Sequence, residues 1–187
     1  MKRLFLLFTL VVFALCANAQ SVTKFLGIPV DGTEYAFKNK LKAKGFKDSK
    51  LIDGALEGEF NGEDVYVSVQ TQGGKVQRVI VSDRDYRDEG QIRIRFNKLL
   101  DQFSRNEKYF TDYRNEYLVD SDDLSYEMSV NNKQFQAAFY QKANETSTLA
   151  NSSYRLVWFA VTRNPLLGFG IAIYYENRLN EADGSDL

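Results

Sequence analysis

Apolar positions along this chain change period several times, and the changes divide it into elements. Residues 24–32 (KFLGIPVDG) form an extended lead-in, because Pro29 biases its predecessor away from helix and Asp31-Gly32 is a turn pair. Thr33 then has the form of an N-cap for a helix over residues 34–44. In that segment Phe37 and Leu41 share one face, and Lys38, Lys40, Lys42 and Lys44 fill most of the rest. Gly45 suits the left-handed position beyond the last turn, which sets Phe46 against Leu41 in a Schellman ending.

Period two follows. Strands are expected at 55–60, 64–72 and 75–82, with Asn61-Gly62 and Gly73-Gly74 closing the hairpins. Val65, Val67 and Val69 share one face and Tyr66, Ser68 and Gln70 the other, the mark of a half-buried antiparallel meander. Helical spacing returns over 88–106. Ile92, Phe96, Leu99, Leu100 and Phe103 make an apolar stripe, opposite Arg93, Arg95, Asn97, Lys98, Asp101 and Gln102. Further strands are expected at 124–130, 134–142, 154–163 and 168–177, with Asn131-Asn132-Lys133 joining the first two as a hairpin and a polar, frayed tail over 179–187. The fold class is therefore α+β: a curved antiparallel sheet of about seven strands with two helices packed on one face. Helix-then-meander order, used twice, reads as a duplicated α-β-β-β unit, although no residue-level repeat accompanies it.

The start of the chain changes where this fold is expected to work. Lys2 and Arg3 precede an apolar run from Leu4 to Leu15, and Ala17-Asn18-Ala19 supplies an A-x-A cleavage site. The run is too short to span a bilayer, which takes roughly 20 residues. We therefore read residues 1–19 as a signal peptide and 20–187 as a single exported domain, periplasmic or secreted, beginning at Gln20. A lipoprotein anchored at Cys16 is the alternative, disfavoured because Leu15 occupies the position where a small residue is needed.

Composition then removes chemistry. The chain has no histidine and its one cysteine is Cys16, so the mature part lacks both residue types. Ser-His-Asp and Cys-His catalysis are excluded, as are the usual zinc, copper and haem ligands, and no cofactor is expected. Loss of Lys2 and Arg3 leaves 22 basic against 25 acidic residues, a charge that draws the protein neither to nucleic acid nor to an anionic membrane. No transmembrane segment is expected in the mature chain. Carboxylate, lysine or tyrosine chemistry and oxygen-ligated calcium or magnesium remain open.

The run from Phe25 to Thr33, with the lysine-rich helix and Lys44-Gly45-Phe46 after it, resembles the opening of a group of uncharacterised small exported proteins of Gram-negative bacteria. The repeated helix-plus-meander order is similar to the folds of the beta-lactamase inhibitor protein and of small outer-membrane assembly lipoproteins. Those are binding proteins rather than enzymes, so the resemblance implies recognition and carries no site residues across.

Four groups of residues are candidates for function. Asp83, Asp85, Asp88 and Glu89 sit where a strand gives way to a helix; capping is the first reading and calcium the second. Asp120, Asp122 and Asp123 form an acidic loop, a solvated turn or a weak calcium candidate. Tyr109, Tyr113, Tyr117 and Tyr126, with Phe110, mix aromatic rings with polar side chains in a loop-like stretch and are the expected ligand-binding residues. Strands 154–163 and 168–177, with Trp158, Phe159, Tyr174 and Tyr175, are apolar on both faces and expected to lie centrally, with a patch exposed to a partner as the alternative. The expected function is an exported, non-enzymatic recognition module of the bacterial envelope whose partner is a protein or glycan. A carboxylate-dependent hydrolase of envelope glycans and a secreted enzyme inhibitor are the alternatives.

Overall fold

The computed structural model describes residues 21–182, so the expected signal segment, Cys16, Gln20 and residues 183–187 lie outside the described residues. A short hairpin, β1 (Lys24–Phe25) and β2 (Ile28–Pro29), leads into α1 (Glu34–Lys42). The Thr33 hydroxyl accepts the Ala36 N–H at 3.3 Å and so caps the helix. At its other end Gly45, at φ +101°, donates to the Lys42 carbonyl and Phe46 to the Leu41 carbonyl, completing the Schellman ending and burying Phe46.

The first meander is β3 (Lys47–Asp48), β4 (Leu56–Phe60), β5 (Glu63–Gln72) and β6 (Lys75–Asp83). Both expected hairpin dipeptides close it with positive φ at each residue. Then come α2 (Glu89–Arg105), β7 (Tyr109–Phe110), α3 (Leu124–Ser129), β8 (Gln136–Gln141), α4 (Leu149–Ser152), β9 (Leu156–Asn164), β10 (Gly168–Glu176) and a 3₁₀ turn at Arg178–Asn180. The large sheet is open, antiparallel and eight-stranded, in the order β3-β4-β5-β6-β10-β9-β8-β7. The last strand pairs with β6, so the two meanders meet at the middle of the sheet.

Register separates the two faces. On the inner face Val67, Val81, Ile173, Phe159 and Ala137 form one row across the strands. Phe37 and Leu41 of α1 and Ile92, Phe96, Leu99, Leu100 and Phe103 of α2 join that row in one core. Phe103 stacks on Phe139 and Phe159 at 5.1 and 5.6 Å, and Phe96 meets Phe159 edge-on at 5.0 Å. Each such side chain contributes about 1.5–3 kcal/mol by leaving water. On the outer face the equivalent row is Ser68, Ile80, Tyr174, Trp158 and Ala138, the last three half-buried.

Several expectations are overturned. Residues 124–130 are not a strand: Leu124–Ser129 is helical, started by Asp123, whose carboxylate accepts the Tyr126 N–H at 2.8 Å. The alternating pattern misled because only Leu124 is buried in that helix, while Tyr126 and Val130 are exposed. Asn131-Asn132-Lys133 consequently joins a helix to β8 and closes no hairpin; Lys133 N–H returns to the Glu127 carbonyl. Arg95, assigned to the wet side of α2, is buried. Nor does the tail fray at Leu179, because Asn180 Nδ2 donates to Asp31 and to the Val76 carbonyl, and Asn177 caps the final turn.

Candidate functional site

Two charged clusters lie on opposite faces of the sheet. On the inner face Asp83, its side chain 3 % exposed, accepts from Arg95 Nε at 2.8 Å, Arg95 Nη2 at 2.6 Å, Arg87 Nη1 at 3.0 Å and the Ile171 N–H at 3.0 Å. Glu63 bridges the same two arginines, Arg95 Nη1 at 3.2 Å and Arg87 Nη2. Arg87 is fixed by its backbone, which pairs with Phe169 in both directions. Gly168 permits that approach: at φ +109°, a Cβ there would fall 2.5 Å from the Arg87 carbonyl oxygen. Two acids and two bases thus satisfy one another and leave no side chain free for a ligand.

The outer face is different. Trp158 of β9 and Tyr174 of β10 are direct cross-strand partners, and their rings lie 3.9 Å apart and 7° from parallel. Arg78 of β6 stands on the far side, its guanidinium carbon 5.9 Å from the Tyr174 ring centre. Glu176, only 5 % exposed at its side chain, ties the set together by accepting from Trp158 Nε1 at 2.6 Å and pairing with Arg78 at 3.0 Å. Arg78 Nε, buried, has no hydrogen-bond partner among the described residues.

Arg78, Trp158 and Glu176 line a groove of about 470 Å³, within the roughly 300–1,000 Å³ usual for small-ligand sites, and Tyr174 backs Trp158 from outside it. Its floor is β8 and β9, where Ala138 sits directly opposite Trp158. One wall is the loop after β7, with Tyr113, Arg114 and Asn115; the other is Arg178 and Glu181 beyond β10. The loop wall is anchored by Asn115. Its side chain accepts the Ala138 N–H at 2.9 Å and donates to the Ala138 carbonyl at 3.0 Å, pairing with β8 as a strand would. Tyr113 stacks on Tyr140 and shares a hydroxyl hydrogen bond of 2.8 Å with it. Burial first, then that hydrogen bond, pushes the Tyr140 hydroxyl up to about 12.

No match is found with any family model, curated protein or solved structure. The reading of this site therefore rests on its own geometry.

That geometry distributes the four expected tyrosines instead of gathering them. Tyr113 reaches the groove. Tyr117 turns to the helix layer and donates to Asp101 of α2 at 2.7 Å, a bond that raises its own hydroxyl pKa. Tyr109 packs edge-on against Phe103 at 4.8 Å, and burial raises its pKa. Tyr126 projects from α3 and is 52 % exposed. The acidic loop is likewise divided. Asp123 caps α3, Asp122 accepts the Val119 N–H at 3.3 Å, and Asp120 is exposed with Arg93 3.9 Å away. Of the other acids, Asp88 caps α2 and Glu89 accepts the Leu124 and Ser125 N–H groups. Among the described residues no three potential ligands converge on a metal position, and no helix is long and apolar enough to cross a membrane.

Arg78 and Glu176 belong to none of the candidate groups, and Trp158 and Tyr174 are expected inside the sheet because two nearly continuous apolar strands read as buried on both faces. The available signal was subtler: Trp158 and Tyr174 share the parity of small or polar neighbours such as Ala160, Thr162, Ala172 and Glu176, the set that faces away from the helices.

Proposed function

We propose that this protein is an exported, non-enzymatic recognition module of the bacterial envelope and that it binds its partner in the outer-face groove. One observation carries the reading: a preformed aromatic pair, fixed by a partly buried ion pair, borders a groove walled by the loop after β7 and the segment beyond β10. Rigid aromatic rings edged by arginine are the side chains that dominate binding energy at recognition surfaces. The carboxylate-dependent hydrolase is the weaker reading. The groove does contain Glu176 and Glu181, but Arg78 and Trp158 hold the first and Arg178 lies 3.8 Å from the second. Its acids are committed to neighbours instead of being free to act on a bond.

Trp158 is the only tryptophan of the chain, so its fluorescence reports on the groove alone. Titrating the exported protein with solubilised Gram-negative envelope should give a saturable change in emission. Binding followed independently by biolayer interferometry should weaken strongly in Arg78→Ala and in Trp158→Ala. Binding that leaves the emission unchanged and survives both substitutions would place recognition elsewhere.

A further inference from the structure

The outer-face aromatic row has a gap. Reading across the strands from β6, the row runs from the Arg78 guanidinium to Tyr174 and then Trp158, each laid against the next. The next strand, β8, offers Ala138 at the position paired with Trp158, and beyond β8 the loop carrying Tyr113 and Asn115 takes the place of a further strand. Neighbouring strands lie about 4.8 Å apart, so roughly 10 Å separates the Trp158 position from that loop. A ring in van der Waals contact on both sides needs about 7 Å. One face of the indole is covered by Tyr174; the other borders the groove above Ala138 with room for one more ring.

The rim determines what kind of ring. Around the gap stand the Gln136 amide, the Arg114 and Arg178 guanidinium groups and the Glu181 carboxylate. These are flat, multidentate hydrogen-bonding groups, suited to adjacent hydroxyls around the edge of a ligand whose faces are apolar. A purely aromatic ligand would desolvate them without giving partners in return, at a cost for each. A pyranose has the required form, with C–H faces to stack on indole and hydroxyls around its perimeter. We propose that the gap above Ala138 is a saccharide-binding slot that takes one pyranose unit of an envelope glycan between Trp158 and the Tyr113 loop. This inference rests on the recognition reading above and specifies its ligand.

The test divides one solubilised Gram-negative envelope preparation in two. One half is digested with proteinase K, which removes protein; the other is oxidised with periodate, which cleaves the vicinal diols of sugars. Each is titrated into the exported protein while Trp158 emission is followed. The response should survive proteinase and disappear after periodate. Ala138→Phe, which fills the gap from within while retaining Trp158, should weaken the proteinase-resistant binding about thirtyfold, the scale of losing a central aromatic contact, with an unchanged melting temperature. If Ala138→Phe lowers the melting temperature, Gln136→Ala, altering only an exposed side chain of the rim, serves in its place and should weaken binding severalfold. A response that survives periodate and is lost to proteinase overturns the saccharide assignment and leaves the groove a protein-recognition site. Absence of any response in the untreated preparation overturns both readings together.

Discussion

The Asp83 cluster on the inner face and the Glu176 cluster on the outer face use the same kinds of side chain in opposite surroundings. Asp83 receives four hydrogen bonds, three of them from two arginines, beneath α2. Glu176 receives one arginine and one indole, and its cluster borders a groove. The difference lies in what covers each. A helix over a buried charge demands full internal compensation, because no water can supply the missing bonds. An uncovered face relaxes that demand, and the Arg78 guanidinium is left with one buried N–H unmatched. The inner cluster is closed on itself, whereas the outer one borders open space beside an aromatic pair.

The comparison is most sharply tested at Asp83. Asp83→Ala leaves Arg95 and Arg87 with Glu63 as their one remaining carboxylate in the cluster and removes the acceptor of the Ile171 N–H. A loss of roughly 3–5 kcal/mol in chemical denaturation is expected, typical of removing one partner from a buried ion-pair cluster, with binding in the groove retained at temperatures where the variant is folded. A loss below about 1 kcal/mol would show that the inner cluster is not the closed unit described.

A smaller effect is expected on the outer face. In a double-mutant cycle over Trp158→Ala and Tyr174→Ala, the coupling free energy from denaturation midpoints should be about 0.5–1.5 kcal/mol, the range for stacked aromatic pairs. A coupling near zero would mean that the two rings do not hold each other in place and that the platform is not preformed.

A further effect is confined to alkaline solution and to the groove wall. Tyr140 titrates at about 12 in the folded protein against about 10 when unfolded. Its hydroxyl therefore stays protonated after the unfolded chain has lost the proton, so its contribution is complete below pH 10 and declines between pH 10 and 12. Tyr140→Phe should flatten that part of the stability profile, measured by urea denaturation at successive pH values, while burial of Tyr109 and Tyr175 sustains the remainder. An unchanged slope would detach Tyr140 from the wall.

Local signals in the sequence made the first half of the fold legible. Thr33, Gly45, Asn61-Gly62 and Gly73-Gly74 act through their own backbone and nearest neighbours, and each occupies the position its chemistry predicts. The second half was harder because its strands answer to partners distant in the chain. Residues 124–130 alternate as a strand does, yet the edge of β8 is already occupied by β7 and by Asn115, so the segment coils on Asp123 instead. The site was harder still. Arg78, Glu176, Trp158 and Ala138 come together only through the pairing of β6 with β10, β10 with β9 and β9 with β8, which no local pattern encodes. Of two tyrosines of similar chemistry, Tyr113 lines the groove and Tyr117 is drawn to α2 by one hydrogen bond to Asp101.

Asn115 has a consequence beyond the groove it supports. An outermost strand with bare peptide groups invites any extended chain to continue the sheet, which is how many proteins nucleate aggregates. Here a single side-chain amide occupies both peptide groups of Ala138, at the margin where such growth would begin, and β7 covers Tyr140 and Gln141 beside it. In a crowded compartment, an unfolded polypeptide meeting this border finds the docking positions of Ala138 already taken. The amide that walls the groove thus also caps the margin of the sheet, with the Thr111 hydroxyl as a second donor to the Ala138 carbonyl.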